Sequence, residues 1–439
     1  MMLPSVNSTT SAPGNLIYIS WLNGWPVNTP VNASPHTSRY ATHDSGTLWI
    51  AGPSMVGDFH PLISTGLPAH TAYISLIIAK ELNLHKNEIE NIYIASNIHD
   101  IGFIDKKWSV TASRDIVESE YITEHEANGV MMLNEISIFE PALTIIGQHH
   151  ISWVANNPEK YPLECHILHM ADAFELFTQS QLDNNISYED IKIDDFIEEN
   201  NQFPPELITA LYKVIKHDIL WYRLASTQLE QTLEDISPVK KNIISTDDLL
   251  EVCQLIAKII DTYSNFTMSH SIKVAKISRF IAEKMELPLE SQKQIQIDGY
   301  LHDIGKLYIP IHILEKKGRL TASEYSLMRI HSYKTDEMLS QIEPLRNIKH
   351  WAANHHERLD GSGYPRGLVA YKLDLPSKIL AIADVFTAMA EDRPYRKGMK
   401  PERILDIIDE EVQNNRLEKV VFDVLKSNIK SAYSIINNV

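Results

Sequence analysis

SNIHDIGF at residues 96–103 and GYLHDIGK at residues 299–306 are two versions of one segment, and the chain around them repeats in step. In the first half His70, His99-Asp100, His125, His149-His150 and Asp172 follow one another. In the second half the order is His270, His302-Asp303, His331, His355-His356 and Asp384. The successive steps are 29 and 32 residues, 26 and 29, 24 and 24, and 22 and 28. HMADAFEL (169–176) pairs with AIADVFTA (381–388) in the same way. A lone histidine on an apolar face is usually a packing residue. Five landmarks in one order, twice, exclude chance, so the chain holds two copies of one module about 200 residues apart.

The texture between the landmarks is helical. Ile74, Ile77, Ile78 and Leu82 fall on one stripe, as do Val274, Ile277, Phe280 and Ile281, and later Ile404, Ile407 and Ile408. Ser245 with Asp248, Thr321 with Glu324, and Pro401 mark helix starts. Residues 1–66 differ, being rich in Pro, Ser, Thr, Asn and Gly with short apolar runs such as Leu16–Leu22 and Thr47–Ala51, and they predict a few short β-strands and turns. The expected fold is therefore mainly α: an N-terminal segment over 1–66, a first helical domain over 67–235 and a second over 245–439, divided near Asp235–Asp247.

The chain has 439 residues, 44% of them hydrophobic and 22% charged, which suits a globular protein of two or three domains. Forty Lys plus Arg stand against 57 Asp plus Glu, a formal charge of -17. That balance argues against binding polymeric nucleic acid or an anionic membrane, since the attraction to phosphate would be reversed. Two cysteines, Cys165 and Cys253, offer neither a disulfide framework nor a zinc ribbon. No run approaches the ~18–20 apolar residues of a membrane span, and residues 1–10 lack the pattern of a secretory signal, so a cytoplasmic location is expected.

The C-terminal copy carries the chemistry. Imidazole and carboxylate are suitable ligands for a catalytic pair of borderline transition metals, and adjacent His302-Asp303 could reach two ions with the carboxylate between them. A shared water then becomes hydroxide near neutral pH and attacks phosphorus in line. Lys306, one helical turn after Asp303, could meet the charge growing on the phosphoryl oxygens. In HHERLDGSGYPRGL (355–368) the glycines and proline force a tight turn directly after two ligand candidates, which could bring Arg358 and Tyr364 against a nucleotide. Residues 355–400 hold eight basic and six acidic residues, a local reversal of the overall charge that fits a small phosphate ester.

HDIGK at 302–306, HHERLDGSGYPRGL at 355–368 and ADVFTAMAEDRPYR at 383–396 together resemble the HD-GYP family of cyclic-dinucleotide phosphodiesterases, a subgroup of the HD superfamily that acts in bacterial second-messenger signalling. The resemblance covers residues 261–400. It implies an all-α fold, with His270, His302, Asp303, His331, His355, His356 and Asp384 as ligands of two divalent ions such as Fe or Mn. It also implies Lys306 and Asp303 as catalytic residues, Gly363-Tyr364-Pro365 as the signature turn, and Arg393 and Arg396 as helpers at the phosphate or the turn. The implied reaction is hydrolysis of 3′,5′-linked cyclic dinucleotides to linear dinucleotide or mononucleotides. Some members hold a third metal through a Glu four residues before the first His; Phe266 stands there, which favours two ions. Ser332 and Thr335 replace the family's more usual Pro and Gly after His331, a change expected to alter the loop rather than the ligand.

The N-terminal copy keeps His70, His99, Asp100, His125, His149, His150 and Asp172 as a second candidate metal set. Phe103 stands where the lysine should be, and Ile151–Asn157 contains no Gly-Tyr-Pro turn. Three readings stay open for it: metal without catalysis, a structural or dimerising module, or a different activity. This tandem layout resembles that of a Vibrio member of the family that prefers 3′3′-cyclic GMP-AMP, and the expected substrate is that dinucleotide or cyclic di-GMP. A homodimer is one expected assembly, and the competing function is a cyclic-dinucleotide sensor or scaffold without turnover.

Overall fold

Nineteen α-helices run through the described residues of the computed structural model, which are 67–104, 119–153, 160–184, 186–200, 202–239, 245–263, 269–340, 342–392 and 396–438. The only β-pairing among them is an isolated bridge between Asp360 and Val369. The strands expected over 1–66 lie outside the described residues. No helix among the described residues is long and apolar enough to cross a membrane.

The repeat in sequence is a repeat in packing. In the first copy, α1 (Leu67–Glu81) packs on α2 (Lys86–Ile98), a 3₁₀ turn (His99–Ile104) packs on α3 (Ser119–Leu133), and α4 (Leu163–Asp183) closes back on α1. In the second, α5 (Thr246–Tyr263) precedes the same set. There α6 (His270–Lys284) packs on α7 (Leu289–Leu301), the 3₁₀ turn Ile304–Tyr308 packs on α8 (Ala322–Ser340), and α9 (Lys349–Ala353) leads to α10 (Leu375–Ala390), which closes on α6. Helices Pro401–Gln413, Lys419–Ser427 and Ile429–Asn437 finish the chain.

The helices form where local chemistry allows. Main-chain Thr321 N donates to Glu324 Oε2 at 2.6 Å and Glu324 N to Thr321 Oγ1 at 3.3 Å, the reciprocal bonds of a capping box. Ser245 and Asp248 make the same exchange at the start of α5. The expected stripes face inward: Ile74, Ile78, Val274, Ile277, Ile281, Ile404 and Ile408 are buried. Helix α5 is buried on more than one face, with Leu249, Val252, Cys253, Ile256 and Ile260 on one side and Leu255 and Ile259 on another. One hydrophobic cluster runs from Ala69 in the first copy through these residues to Ala352 in the second, and Ser137 Oγ donates to Asp248 Oδ1 at 3.3 Å. The two modules share a core across α5. Both cysteines are free and buried.

The glycine of each His-Asp-Ile-Gly segment is set by a backbone crossing. A Cβ on Gly305 would lie 1.9 Å from the carbonyl oxygen of His331, and one on Gly102 would lie 1.9 Å from that of His125. The 3₁₀ turn thus runs directly beneath the helix that carries the next histidine, and no side chain fits between them. Gly305→Ala is expected to cost about 3 kcal/mol or to abolish folding, since the obstacle is backbone. A denaturant midpoint equal to that of the parent chain would show that the two segments do not cross this closely.

Candidate metal centres

Three elements aim the C-terminal histidines. His302 closes α7, His331 lies inside α8, and His355 follows α9. Each places Nδ1 against the main-chain carbonyl three residues earlier: Gly299 O at 2.8 Å, Met328 O at 2.6 Å and Ala352 O at 2.6 Å. A carbonyl only accepts, so Nδ1 carries the proton in all three. In the neutral ring Nε2 is then an acceptor, and all three Nε2 atoms lie near one carboxylate, with Ser332 Oγ also 3.2 Å from that of His331. They lie 3.2 Å (His302), 3.6 Å (His331) and 4.0 Å (His355) from the nearest oxygen of Asp303. His331 Nε2 and His355 Nε2 are 3.5 Å apart.

On the other side of His302, His270 Nε2 is 3.2 Å from Asp384 Oδ1, and His356 Nδ1 is 4.0 Å from Asp384 Oδ2. Three sets of potential ligand atoms fall within 4.8 Å: His331 with His355 and His356, His270 with His302 and Asp384, and His302 with Asp303 and His355. All seven residues expected from sequence are thus brought together. His302 is the C-cap of α7 and Asp303 the N-cap of the 3₁₀ turn, so the pair sits at a helix end.

The electrostatics are those of a site built for cations. Burial alone would raise Asp303, but its neighbours His302 and Lys306 outweigh it and hold the carboxyl well below its usual range. Asp384 is likewise held low against its burial, chiefly by His270. Burial, with His302 and His331 beside it, lowers His355 to about 3, and His356 also falls well below its ordinary value. His302 Nε2 and Asp303 Oδ1 are buried without a hydrogen-bond partner. His355 and His356 are held neutral beside ionised carboxylates, whereas Asp384 and Glu391 raise His270 to about 10 against its burial; imidazole and carboxylate together are a donor set that suits a divalent transition-metal ion. The residues fit such ions.

Lys306 Nζ reaches Asp303 Oδ2 at 2.5 Å, at the edge of this cluster. The loop after His356 is tied from inside. The buried Glu357 carboxylate accepts main-chain N–H bonds from Arg366 at 2.7 Å and Leu368 at 2.8 Å. Gly363 passes so close to Glu357 that a Cβ would lie 2.4 Å from its Cα. This lays Tyr364 over the site, its ring 4.7 Å from that of His356, ahead of a cis bond to Pro365. Arg358 hydrogen-bonds the main-chain carbonyl of Glu357. Arg396 donates to the carbonyls of Ala388 and Met389 and so holds the C-terminal end of α10. Arg393 and Phe266 lie outside the described residues.

Four residues build the surroundings, and of these sequence reasoning had named only Thr335, as a departure from the family pattern. Asp261 accepts from Ser271 N at 3.1 and 3.0 Å and from Ser271 Oγ at 2.8 Å, fixing the start of the helix that carries His270. Glu391 Oε1 lies 3.1 Å from His270 Nδ1. Glu357 organises the loop. Thr335 accepts from Gly305 N at 3.1 Å and donates to His302 O at 3.0 Å. Ser332 and Thr335 lie inside α8 rather than in a loop, which corrects the expectation for them; Thr335 locks the His-Asp turn to the helix of the next ligand. No sequence signal marks Glu391 or Asp261. The departure from the family pattern at Thr335 was visible, but its partners were not.

The N-terminal copy is similar and not equal. His99 and His149 use the same device, with Nδ1 on Ser96 O at 3.1 Å and Ile146 O at 2.6 Å. His125 Nε2 and His149 Nε2 are 3.1 Å apart, and Asp100 lies 3.6 Å from the first. The compact sets are His125 with His149 and His150, and His99 with Asp100 and His149. His70 is not in them; its Nδ1 bonds Glu175 Oε1 at 2.8 Å much as Nδ1 of its counterpart His270 meets Glu391, and His270 in addition meets Asp384 through Nε2. The Phe103 ring stacks on His125 at 4.0 Å where the other copy offers an ammonium. Burial raises Asp100 to about 6, against the pull of His99, so this central carboxyl is less firmly ionised than Asp303.

Residues 68–176 and residues 254–421 each match the HD domain family. Over 376 residues the chain is 28% identical to a Vibrio cholerae protein named 3′3′-cGAMP-specific phosphodiesterase 1, covering 83% of this chain and 87% of that protein. A Thermotoga maritima cyclic di-GMP phosphodiesterase is 39% identical over 157 residues, or 35% of this chain and 42% of that protein. The crystal structure of a V. cholerae cyclic GMP-AMP-specific phosphodiesterase superimposes with a TM-score of 0.57 at 20% identity, over 86% of this chain and 96% of that one, which shows a shared fold.

Thr335→Val keeps the shape of the side chain and strands one buried N–H and one carbonyl. It is expected to lower stability by about 1–3 kcal/mol and to weaken metal retention. Denaturant unfolding and metal content after dialysis measure both, and an unchanged pair of values would remove Thr335 from the support of the site.

Proposed function

Because the chain carries two tandem HD domains, we propose that it is a metal-dependent phosphodiesterase of the HD-GYP type, which hydrolyses 3′,5′-linked cyclic dinucleotides in its C-terminal domain. The observation that carries this reading is the contrast between the two copies. One keeps an ammonium on its central carboxylate and a tied Gly-Tyr-Pro loop over its histidines, while the other has a phenyl ring at that position.

In this reading His270, His302, Asp303, His331, His355, His356 and Asp384 hold two divalent ions, and the domains span residues 67–235 and 245–439 after a leading segment. Such ions supply Lewis acidity toward a phosphodiester and bring hydroxide within reach near neutral pH. Asp303 is held ionised by its neighbours and keeps a negative carboxylate at the centre of the cluster. Lys306, anchored on Asp303, presents positive charge where the phosphoryl oxygens become more negative as the bond breaks. The Tyr364 ring covers His356 and restricts water on that side. Arg358 lies on the tied loop and Arg396 holds the end of α10 beside the site. A sensor that binds without turnover is not favoured, because no ligand and no lysine is missing from the C-terminal copy.

The mixed dinucleotide 3′3′-cyclic GMP-AMP is the favoured substrate. The relative named for it matches 83% of this chain through both modules, whereas the T. maritima relative named for cyclic di-GMP matches 35%. Cyclic di-GMP is the second reading, supported by the 39% identity within that shorter segment. The N-terminal copy holds metal without hydrolysis, since its compact histidine sets persist beside Phe103.

Purified protein loaded separately with Mn²⁺ and Fe²⁺, offered both dinucleotides and cyclic di-AMP, is expected to release linear product. Asp303→Ala should lose metal and turnover together. Lys306→Ala should keep its metal and lose about 10²–10³ in kcat, the size of one missing transition-state donor. Asp100→Ala should retain most of the activity; loss of turnover in a folded, metal-loaded Asp100 variant would show that both copies take part.

A further inference from the structure

The outer face of α8 carries Tyr325, Arg329 and Tyr333 at i, i+4 and i+8. All three are exposed, Tyr325 at 50% and Tyr333 at 52% of their surfaces. Large planar side chains in a row on a solvated face are costly to leave bare. This row is continuous with the metal cluster. The Arg329 guanidinium lies 4.8 Å from the centre of the Tyr364 ring, and that ring lies 4.7 Å from His356. A line of planar groups therefore leads from a candidate ligand to solvent through Tyr364 and Arg329, with Tyr325 one turn from Arg329. The other copy offers an internal contrast. Aligned on His125 and His331, its residues at the three positions are Ser119, Thr123 and Ala127, and it has no counterpart of Tyr364.

We infer that Arg329, with Tyr325 beside it, is the stacking contact for one purine of the substrate and sets affinity for cyclic dinucleotides over other phosphodiesters. The inference rests on the phosphodiesterase reading above. A cyclic dinucleotide carries a base on each side of its sugar-phosphate ring. With one phosphodiester at the cluster, a base must project past Tyr364 toward the mouth, where α8 forms the wall. A guanidinium stacks on a purine face through dispersion and cation–π attraction, and its charge also suits an anionic ligand on an otherwise acidic chain. The ammonium of a lysine is compact and hydrated and does not stack in this way.

The test uses the full-length, metal-loaded chain and four proteins: the parent, Arg329→Ala, Arg329→Lys and Tyr325→Ala. Each is assayed on the preferred cyclic dinucleotide and on methyl p-nitrophenyl phosphate, a diester without a base. Arg329→Ala is expected to raise KM for the dinucleotide by about tenfold to a hundredfold, the range of one lost base stack, with kcat changed by less than about twofold. Arg329→Lys should recover little of this, Tyr325→Ala should show a smaller rise in KM, and turnover of the base-free diester should be unchanged throughout. Equal losses on both substrates would make Arg329 a phosphate contact or a support of the Tyr364 loop. Full rescue by lysine would make it a simple charge. Either result overturns the inference, as does an unchanged KM in Arg329→Ala while the parent is active. If the parent cleaves no cyclic dinucleotide, the phosphodiesterase reading fails and takes this inference with it.

Discussion

Three imidazole Nε2 lone pairs converge on one buried carboxylate, and the C-terminal module is arranged around that unfavourable meeting. Each ring is turned inward by a hydrogen bond from its own Nδ1 to the carbonyl three residues earlier, so the helices themselves fix the tautomer and the aim. The Nε2 atoms of His331 and His355 stand 3.5 Å apart on two buried rings. Such an arrangement is tolerable when positive charge lies among the lone pairs, which is why the donor set itself points to cations. Much of the surrounding structure serves that geometry. Gly305 lets the His-Asp turn pass beneath α8, Thr335 ties the two together, Asp261 fixes the start of α6, and Glu391 meets the far nitrogen of His270.

The two copies show which parts of this design tolerate drift. The scaffold is preserved in detail: the same helix pairs pack, the same glycine sits against the same histidine carbonyl, and the same backbone bonds orient two of the rings. Divergence falls on the groups that face outward from the cluster. At the position of Lys306 stands Phe103 stacked on His125, the Gly-Tyr-Pro sequence has no counterpart, and His70 lies outside the compact ligand sets. The shared hydrophobic cluster across α5 gives the N-terminal module a physical link to the other.

How much of this was legible depends on the range of the interaction. The five paired landmarks, the helical stripes and the helix caps at Thr321 and Ser245 are local or periodic features, and the structure places them as read. The seven C-terminal ligand candidates were legible because two copies of one spacing are hard to produce in any other way. Thr335 was visible as an odd residue but read as part of a loop, since its hydrogen bonds to Gly305 and His302 join segments about 30 residues apart. Arg396 was placed at the phosphate or the turn, and the structure gives it the carbonyls that end α10.

By itself the sequence determined the helical class, the duplication, the candidate ligands and the asymmetry between Lys306 and Phe103. Those follow from residue type and spacing along one chain. Only the tertiary structure decided that His70 stands outside the compact sets while His270 meets Asp384, that Glu357 ties the Gly-Tyr-Pro loop over His356, and that Arg329 on a neighbouring helix closes on Tyr364. The first and last join segments far apart in sequence, and the Glu357 ties are bonds from one side chain to the backbone of its own loop. Partners across such distances are chosen by how helices cross, and spacing along the chain carries no record of that.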